Sequence, residues 1–249
     1  MRMSRKFLIP AVGLLLVCAM AGSTPAGAQT WSTPQFVANG LGIAVASNGS
    51  GTSAVLFMPP SGGLQAAVKT GSNWGTPVTL SPLGPYGAGT GNIAVAPNGD
   101  VLAVWSFRTT NTYIPNQAQA RFFSRGQWGS TITISGSVFG NVNSYGLPGI
   151  GFDGHSQATL IWEEMTSTNP VACALKAKTG SAASGFGAAT TISNTSTCYG
   201  LAKLAVNNGG QAVAVEGATG ILTGAVVAIS RDLTGAWGTP VTVAASVYR

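Results

Sequence analysis

Ile93-Ala94-Val95-Ala96-Pro97-Asn98-Gly99-Asp100-Val101-Leu102-Ala103-Val104-Trp105 is the stretch that decides the fold. Two apolar runs flank Asn-Gly, the dipeptide best suited to the positive φ angles of a type I′ hairpin turn, so the stretch predicts two paired strands, a and b. The phrase recurs at Ile43-Ala44-Val45-Ala46-Ser47-Asn48-Gly49, Ile150-Gly151-Phe152-Asp153-Gly154 and Leu204-Ala205-Val206-Asn207-Asn208-Gly209. Each copy is followed by a second apolar run, such as Ala158-Thr159-Leu160-Ile161-Trp162.

Between these hairpins lies a second phrase. It opens at Trp31, Trp74, Trp128, Phe186 and Trp237, at spacings of 43, 54, 58 and 51 residues, and reads Trp-Gly-Thr-Pro in its fullest copies. Pro at its start and alternating Thr suit an outer edge strand, d. A shorter run precedes it, as in Gln65-Ala66-Ala67-Val68-Lys69, and supplies strand c. Four strands per unit of about 50 residues, in four tandem units, predict an all-β, propeller-like array of about four four-stranded blades. Five d phrases stand beside four a–b–c sets, so the ring is expected to be incomplete or open, or closed by association of chains. An open β-sandwich with similar turn spacing is the alternative architecture.

The amino terminus reads differently. Arg2, Arg5 and Lys6 precede an apolar run from Phe7 to Ala21, and Ala26-Gly27-Ala28 follows, which predicts a signal peptide over 1–28 and a mature domain over 29–249. The run is broken by Pro10 and Gly13 and is shorter than the roughly 20 residues of a membrane span. Cys18 lacks a small residue before it, which argues against lipidation. The expected location is therefore outside the cytoplasm, in the periplasm or the medium, with no membrane span.

Without the leader, nine basic residues face six acidic ones, with no basic run and no basic–aromatic interleaving, so nucleic acid is not an expected partner. The remaining cysteines, Cys173 and Cys198, are expected to form a disulfide in an oxidising compartment. One histidine, His155, and so few acids predict neither a metal site nor a cofactor. His155 beside Asp153 reads as turn chemistry.

The hydrophobic hairpin, short c strand and Gly-rich turn into Trp-x-x-Pro resemble the blades of bacterial sialidase-like, Asp-box-type β-propellers. Ser230-Arg231-Asp232-Leu233-Thr234-Gly235-Ala236-Trp237 is similar to an Asp box, with Gly one place late. The resemblance covers almost all of the mature chain as a repeat pattern. It implies an arginine triad, a Tyr nucleophile paired with Glu, and an Asp acid. The family's Arg-Ile-Pro phrase is absent here, and Arg121, Arg125 and Arg231 fall on a c strand or in c–d turns, so no triad can be assembled. Glu163 and Glu164 are the only paired carboxylates, and neighbouring strand residues point to opposite faces, which makes them a poor acid–base couple.

In a propeller, the d–a and b–c connections share one face. Here they are long and carry Tyr86, Arg108, Tyr113, Tyr145, Glu163, Glu164 and Tyr199, the candidate ligand-binding residues. Tyr and Asn suit sugar stacking and hydroxyl hydrogen bonds. The expected function is a non-catalytic exported binding module for a glycan or cell-surface polymer. The alternatives are an envelope assembly protein pairing through exposed β edges and, more remotely, a degenerate glycosidase.

Overall fold

The computed structural model describes residues 33–82, 88–107, 117–135, 148–168, 171–195, 201–217 and 225–244. The chain divides into two compact units, Met1–Phe36 and Val37–Arg249. Of the first, the described residues 33–36 are exposed and form no strand. The leader segment 1–28 lies outside the described residues.

The second unit is four antiparallel sheets in succession. Blade 1 comprises β1 (Leu41–Ser47), β2 (Ser53–Met58), β3 (Leu64–Thr70), the two-residue β4 (Asn73–Trp74) and β5 (Val78–Ser81). Blade 2 comprises β6 (Ala88–Val95), β7 (Val101–Phe107), β8 (Gln117–Ser124), β9 (Gln127–Trp128) and β10 (Ile132–Ser135). Blade 3 comprises β11 (Gly149–Phe152), β12 (Ala158–Thr168), β13 (Val171–Ser181), β14 (Gly185–Phe186) and β15 (Thr190–Thr195). Blade 4 comprises β16 (Leu201–Val206), β17 (Ala212–Gly217), β18 (Val226–Arg231) and β19 (Val241–Ala244). The fifth d strand expected near Trp31 is absent from residues 33–38. A d strand needs a c strand to pair with, and β3, β8, β13 and β18 already hold β5, β10, β15 and β19.

The a–b turns differ from the type I′ turns that Asn-Gly suggested. Each is a three-residue loop, a type I turn closed by a left-handed residue, as in Ala96 N donating to Asp100 O and Gly99 N to Ala96 O. The left-handed position is Gly51, Gly99, Ser156 or Gly210. The first position is Asn48, Asp153 or Asn207 in blades 1, 3 and 4, where the side-chain oxygen accepts from the backbone N–H groups two and four residues on. That side-chain bond favours the longer loop over the two-residue one. Consecutive positive φ values occur instead at Arg125-Gly126 in the c–d turn of blade 2 and at Gly62-Gly63 in the connection before β3.

The core lies between blades. Alternate residues of each b strand face the blade before and the blade after. Leu56, Leu64 and Leu80 of blade 1 meet Val101, Ala103 and Trp105 of blade 2. Leu102, Val104 and Ile134 of blade 2 meet Leu160 and Trp162 of blade 3. Ile161, Leu175 and Ile192 of blade 3 meet Ala202, Ala214 and Ile229 of blade 4. The a strands pack in sequence, β1 on β6, β6 on β11 and β11 on β16.

The array is not closed into a ring. The a strand of blade 1 is apolar on both faces, yet β1 exposes Leu41 by 70% and Val45 by 74%. No preceding blade covers it. Blade 4 similarly exposes Val213, Val241 and Val243.

Candidate functional site

The two faces of the array are put to different uses. On the face of the a–b turns, each turn is bonded to the next. Asn48 Nδ2 donates to Ala96 O at 2.8 Å, Asn98 N to Ser156 Oγ at 3.2 Å, and Gly154 N to Asn208 O at 2.9 Å. At Gly154 a Cβ would lie 2.8 Å from Asn208 O, so this close approach requires glycine. Arg231 extends the belt by donating to Thr159 Oγ1 and Gly210 O. His155 contributes its backbone N–H to Asp153, in keeping with turn chemistry. A polar cleft of about 720 Å³ opens between blades 2 and 3, lined by Asn98, Asp100, Ser124 and Arg125.

In blade 4 the c–d turn repeats the a–b design. Asp232 accepts at Oδ1 from Thr234 N, Thr234 Oγ1 and Ala236 N, and Gly235 takes the left-handed position. The hydroxyl of Thr234 and then the N–H of Ala236 hold the Asp232 carboxyl below the usual carboxylate range.

The opposite face receives the d–a and b–c connections. Tyr86, Arg108, Tyr113, Tyr145 and Tyr199 lie outside the described residues, as does Cys198. Cys173 is buried on β13 and pairs in register with Thr195, three residues before Cys198.

Glu163 and Glu164 do not belong to a loop, as the sequence reading had placed them. The β12–β13 ladder continues past them to Thr168 and Val171, with a bulge after Met165. Both are buried, and on opposite faces, as strand alternation requires. Glu164 turns toward blade 2. Lys176 Nζ lies 2.6 Å from its Oε1, while Ser135 Oγ and Trp162 Nε1 donate to Oε2 at 3.0 and 3.1 Å. Lys178 stands 5.8 Å from the Trp162 ring centre and donates to Ile134 O. This buried ion pair is well satisfied.

Glu163 turns toward blade 4, and there it meets an acid that the sequence reading had not singled out. Glu216, on β17, is 2% exposed, and neither of its carboxylate oxygens completes a hydrogen bond. Burial, and then the charge of Glu163, push its carboxyl up to about 7. Ser193 on β15 lies near enough to temper that shift without making a well-formed bond. Glu163 and Ser193 each stand opposite Leu175 in the ladder, so the three share the face turned to blade 4. One signal could have found Glu216. Five residues after the last turn residue, blades 1 to 4 carry Phe57, Trp105, Trp162 and Glu216. With Glu163 and Glu216 only 6% and 2% exposed, the pair as it stands cannot meet a polymer substrate.

No protein-family model and no curated protein matches the chain. Solved structures do. A protein of unknown function from Dyadobacter fermentans superposes with a TM-score of 0.51 at 10% identity, over 84% of this chain and 70% of that one. AofleA from Arthrobotrys oligospora gives 0.52 at 13% identity, over 83% of this chain and 56% of that one. A PL25 polysaccharide lyase, an ulvan lyase solved with a -[GlcA(1-4)Rha3S]- saccharide, gives 0.50 at 13% identity, over 86% and 58%. The chain thus spans little more than half of the latter two proteins, and at these identities the likeness is one of fold.

Proposed function

We propose that this chain is an exported, non-catalytic binding module that holds a glycan or another cell-surface polymer on the face of its d–a and b–c connections. The observation that carries this reading is the asymmetry of the array. The a–b turns are tied into a hydrogen-bonded belt, whereas the other connections, the two-residue link 169–170 of blade 3 excepted, are longer and hold four of the chain's five tyrosines. A rigid scaffold with Tyr- and Asn-bearing loops on one face suits sugar recognition. The saccharide in the similarly folded lyase is compatible with that ligand class. Binding of wild-type protein on a glycan array, lost when Tyr86, Tyr113 and Tyr145 are all replaced by Ala, is the expected result. Wild-type protein that binds no glycan rejects the reading.

A second reading, assembly with a partner across exposed sheet surface, is favoured by the uncovered apolar residues at both ends. These are Leu41 and Val45 in blade 1, beside a groove of about 380 Å³, and Val213, Val241 and Val243 in blade 4. A mass above that of one chain by light scattering supports it, and a monomer at high concentration opposes it.

Two covalent features belong to the same proposal. Cleavage after Ala28 would leave Gln29 first. A Cys173–Cys198 bridge would tie β13 to the connection after β15, which the Cys173–Thr195 register favours. The turn bonding around Asp232 favours a structural, Asp-box-like role for 230–237. Intact mass before and after reduction tests leader and bridge together.

A further inference from the structure

We infer that the junction of blades 3 and 4 is a pH-sensitive latch, firm when Glu216 carries a proton and loosened when it ionises. The device is a departure from the repeat. Blades 2 and 3 present Trp105 and Trp162 to the blade before them, and at the equivalent place blade 4 presents a carboxyl that is 2% exposed, with neither oxygen in a hydrogen bond. Its surroundings are apolar. Ala202 and Val227 stand opposite Glu216 on the flanking strands, and Leu175, Ile192 and Ile229 fill the same seam. A neutral carboxyl can be buried there at modest cost, whereas a carboxylate gives up its hydration and receives nothing in exchange.

Among the described residues, no charged group on the elements packed here offsets that loss. From blade 3, β12 brings Glu163, which has an interaction of its own and adds its like charge to the effect of burial, and β15 brings Ser193, a weak counterweight. Lys176 and Lys178 of β13 pair in register with Trp162 and Leu160 and are turned to blade 2, where both are engaged. Asp153 and His155 lie beyond β11 in the a–b turn, at the other end of the blade. From blade 4, β16 carries Lys203 opposite Val215, on the far face from Glu216. Arg231 on β18 is level with Ala212, at the turn end of β17, and is committed to Thr159, Gly210 and Gly235. The connections 169–170, 196–200 and 218–224 contain no charged residue in their sequence.

Glu164 supplies the contrast within the same chain. It too is buried, but Lys176, Ser135 and Trp162 surround its oxygens, so its charge is housed. Glu216 has no such set, and its carboxyl rises from the ordinary 4.5 to about 7, through burial first and the charge of Glu163 second. A folded value above the unfolded one means that the contribution of this group to stability is complete below about 4.5 and is lost as pH rises through about 7. The loss falls on the seam between blades 3 and 4, because an ionised Glu216 draws water, and water reaches it when those blades part.

The test follows amide hydrogen exchange of the full chain by mass spectrometry across this pH window, corrected for the intrinsic pH dependence of exchange. Opening of blade 4, read at β16, β17 and β18, should increase on the order of tenfold between about pH 5.5 and about pH 8.5, while β7 and β8 of blade 2 keep their protection. Glu216→Gln, which keeps the shape and removes the charge, should abolish that increase. Glu216→Met should do the same, and it decides the matter if Glu216→Gln fails to fold. Opening of blade 4 that does not change with pH in the wild type, or that changes as much in the variants, overturns the latch. An equal increase in blades 2 and 4 reports unfolding of the whole array and overturns it as well. None of these readouts uses a glycan, so failure here leaves the binding-module reading untouched.

Discussion

Blades 2 and 3 each present a tryptophan to the blade before them, whereas blade 4 presents a glutamate. Trp105 and Trp162 are fully buried, and the Trp162 junction also carries a satisfied polar set in which Glu164 bonds to Lys176, Ser135 and the indole N–H. The junction of blades 3 and 4 is filled by smaller groups, Ala202, Ala214 and Ile229, and its acid is unpaired. A buried carboxylate with partners can serve packing; one without partners opposes it. An apolar cluster holds each of the three junctions together, and the third also buries an acid without a hydrogen-bond partner.

The largest effect expected from breaking this contrast is at the second junction. Trp162→Ala removes a fully buried indole and one of the donors to Glu164, and should cost about 3–5 kcal/mol, read by denaturant unfolding. The opposite sign is expected at the third junction. Glu216→Met removes the orphaned oxygens and should gain about 1–3 kcal/mol by denaturant unfolding.

Smaller effects come from the belt that joins all the blades. Asn48→Ala gives up two turn bonds within blade 1 and the link to Ala96, and should cost about 1 kcal/mol. The slightest effect is at Asp232, which is fully exposed. Its carboxyl titrates lower when folded than when unfolded, so its contribution is present above the unfolded value and is lost as pH falls through the folded one. Asp232→Asn should slightly reduce Tm near neutrality and flatten the acid limb of Tm against pH.

Local chemistry made the blades legible in the sequence. Asn48, Asp153 and Asn207 mark hairpins because their side chains bond backbone one turn away, a relation that short spacing records. Even so, the turn type was misjudged, since Asn-Gly signals a tight turn without disclosing that the residue before the loop secures a longer one. The exposure of β1 was not legible from the apolar run Ile43-Ala44-Val45-Ala46, because whether a strand is covered depends on a neighbouring blade. Glu216 was missed for a related reason. Its environment comes from Glu163 and Ser193 in another blade, and only superimposing the a–b turns shows it standing in a tryptophan's place. Glu163 and Glu164 were correctly set on opposite faces by alternation, but were assigned to a loop because Met165–Thr168 and the following Asn-Pro gave no sign that the ladder continues.

The open array also bears on how the chain acquires its structure. Each strand pairs with one a short distance along the chain, and each blade packs on its sequence neighbours. Among the described residues, no ladder joins the first blade to the last. The longest loop that must close before a blade can seat is therefore about one repeat, and the entropy of closure grows only slowly over such lengths. Structure can begin at any blade and spread to the next, as in other linear repeat arrays. A chain emerging vectorially from the ribosome could therefore commit its first blades before the last had been delivered.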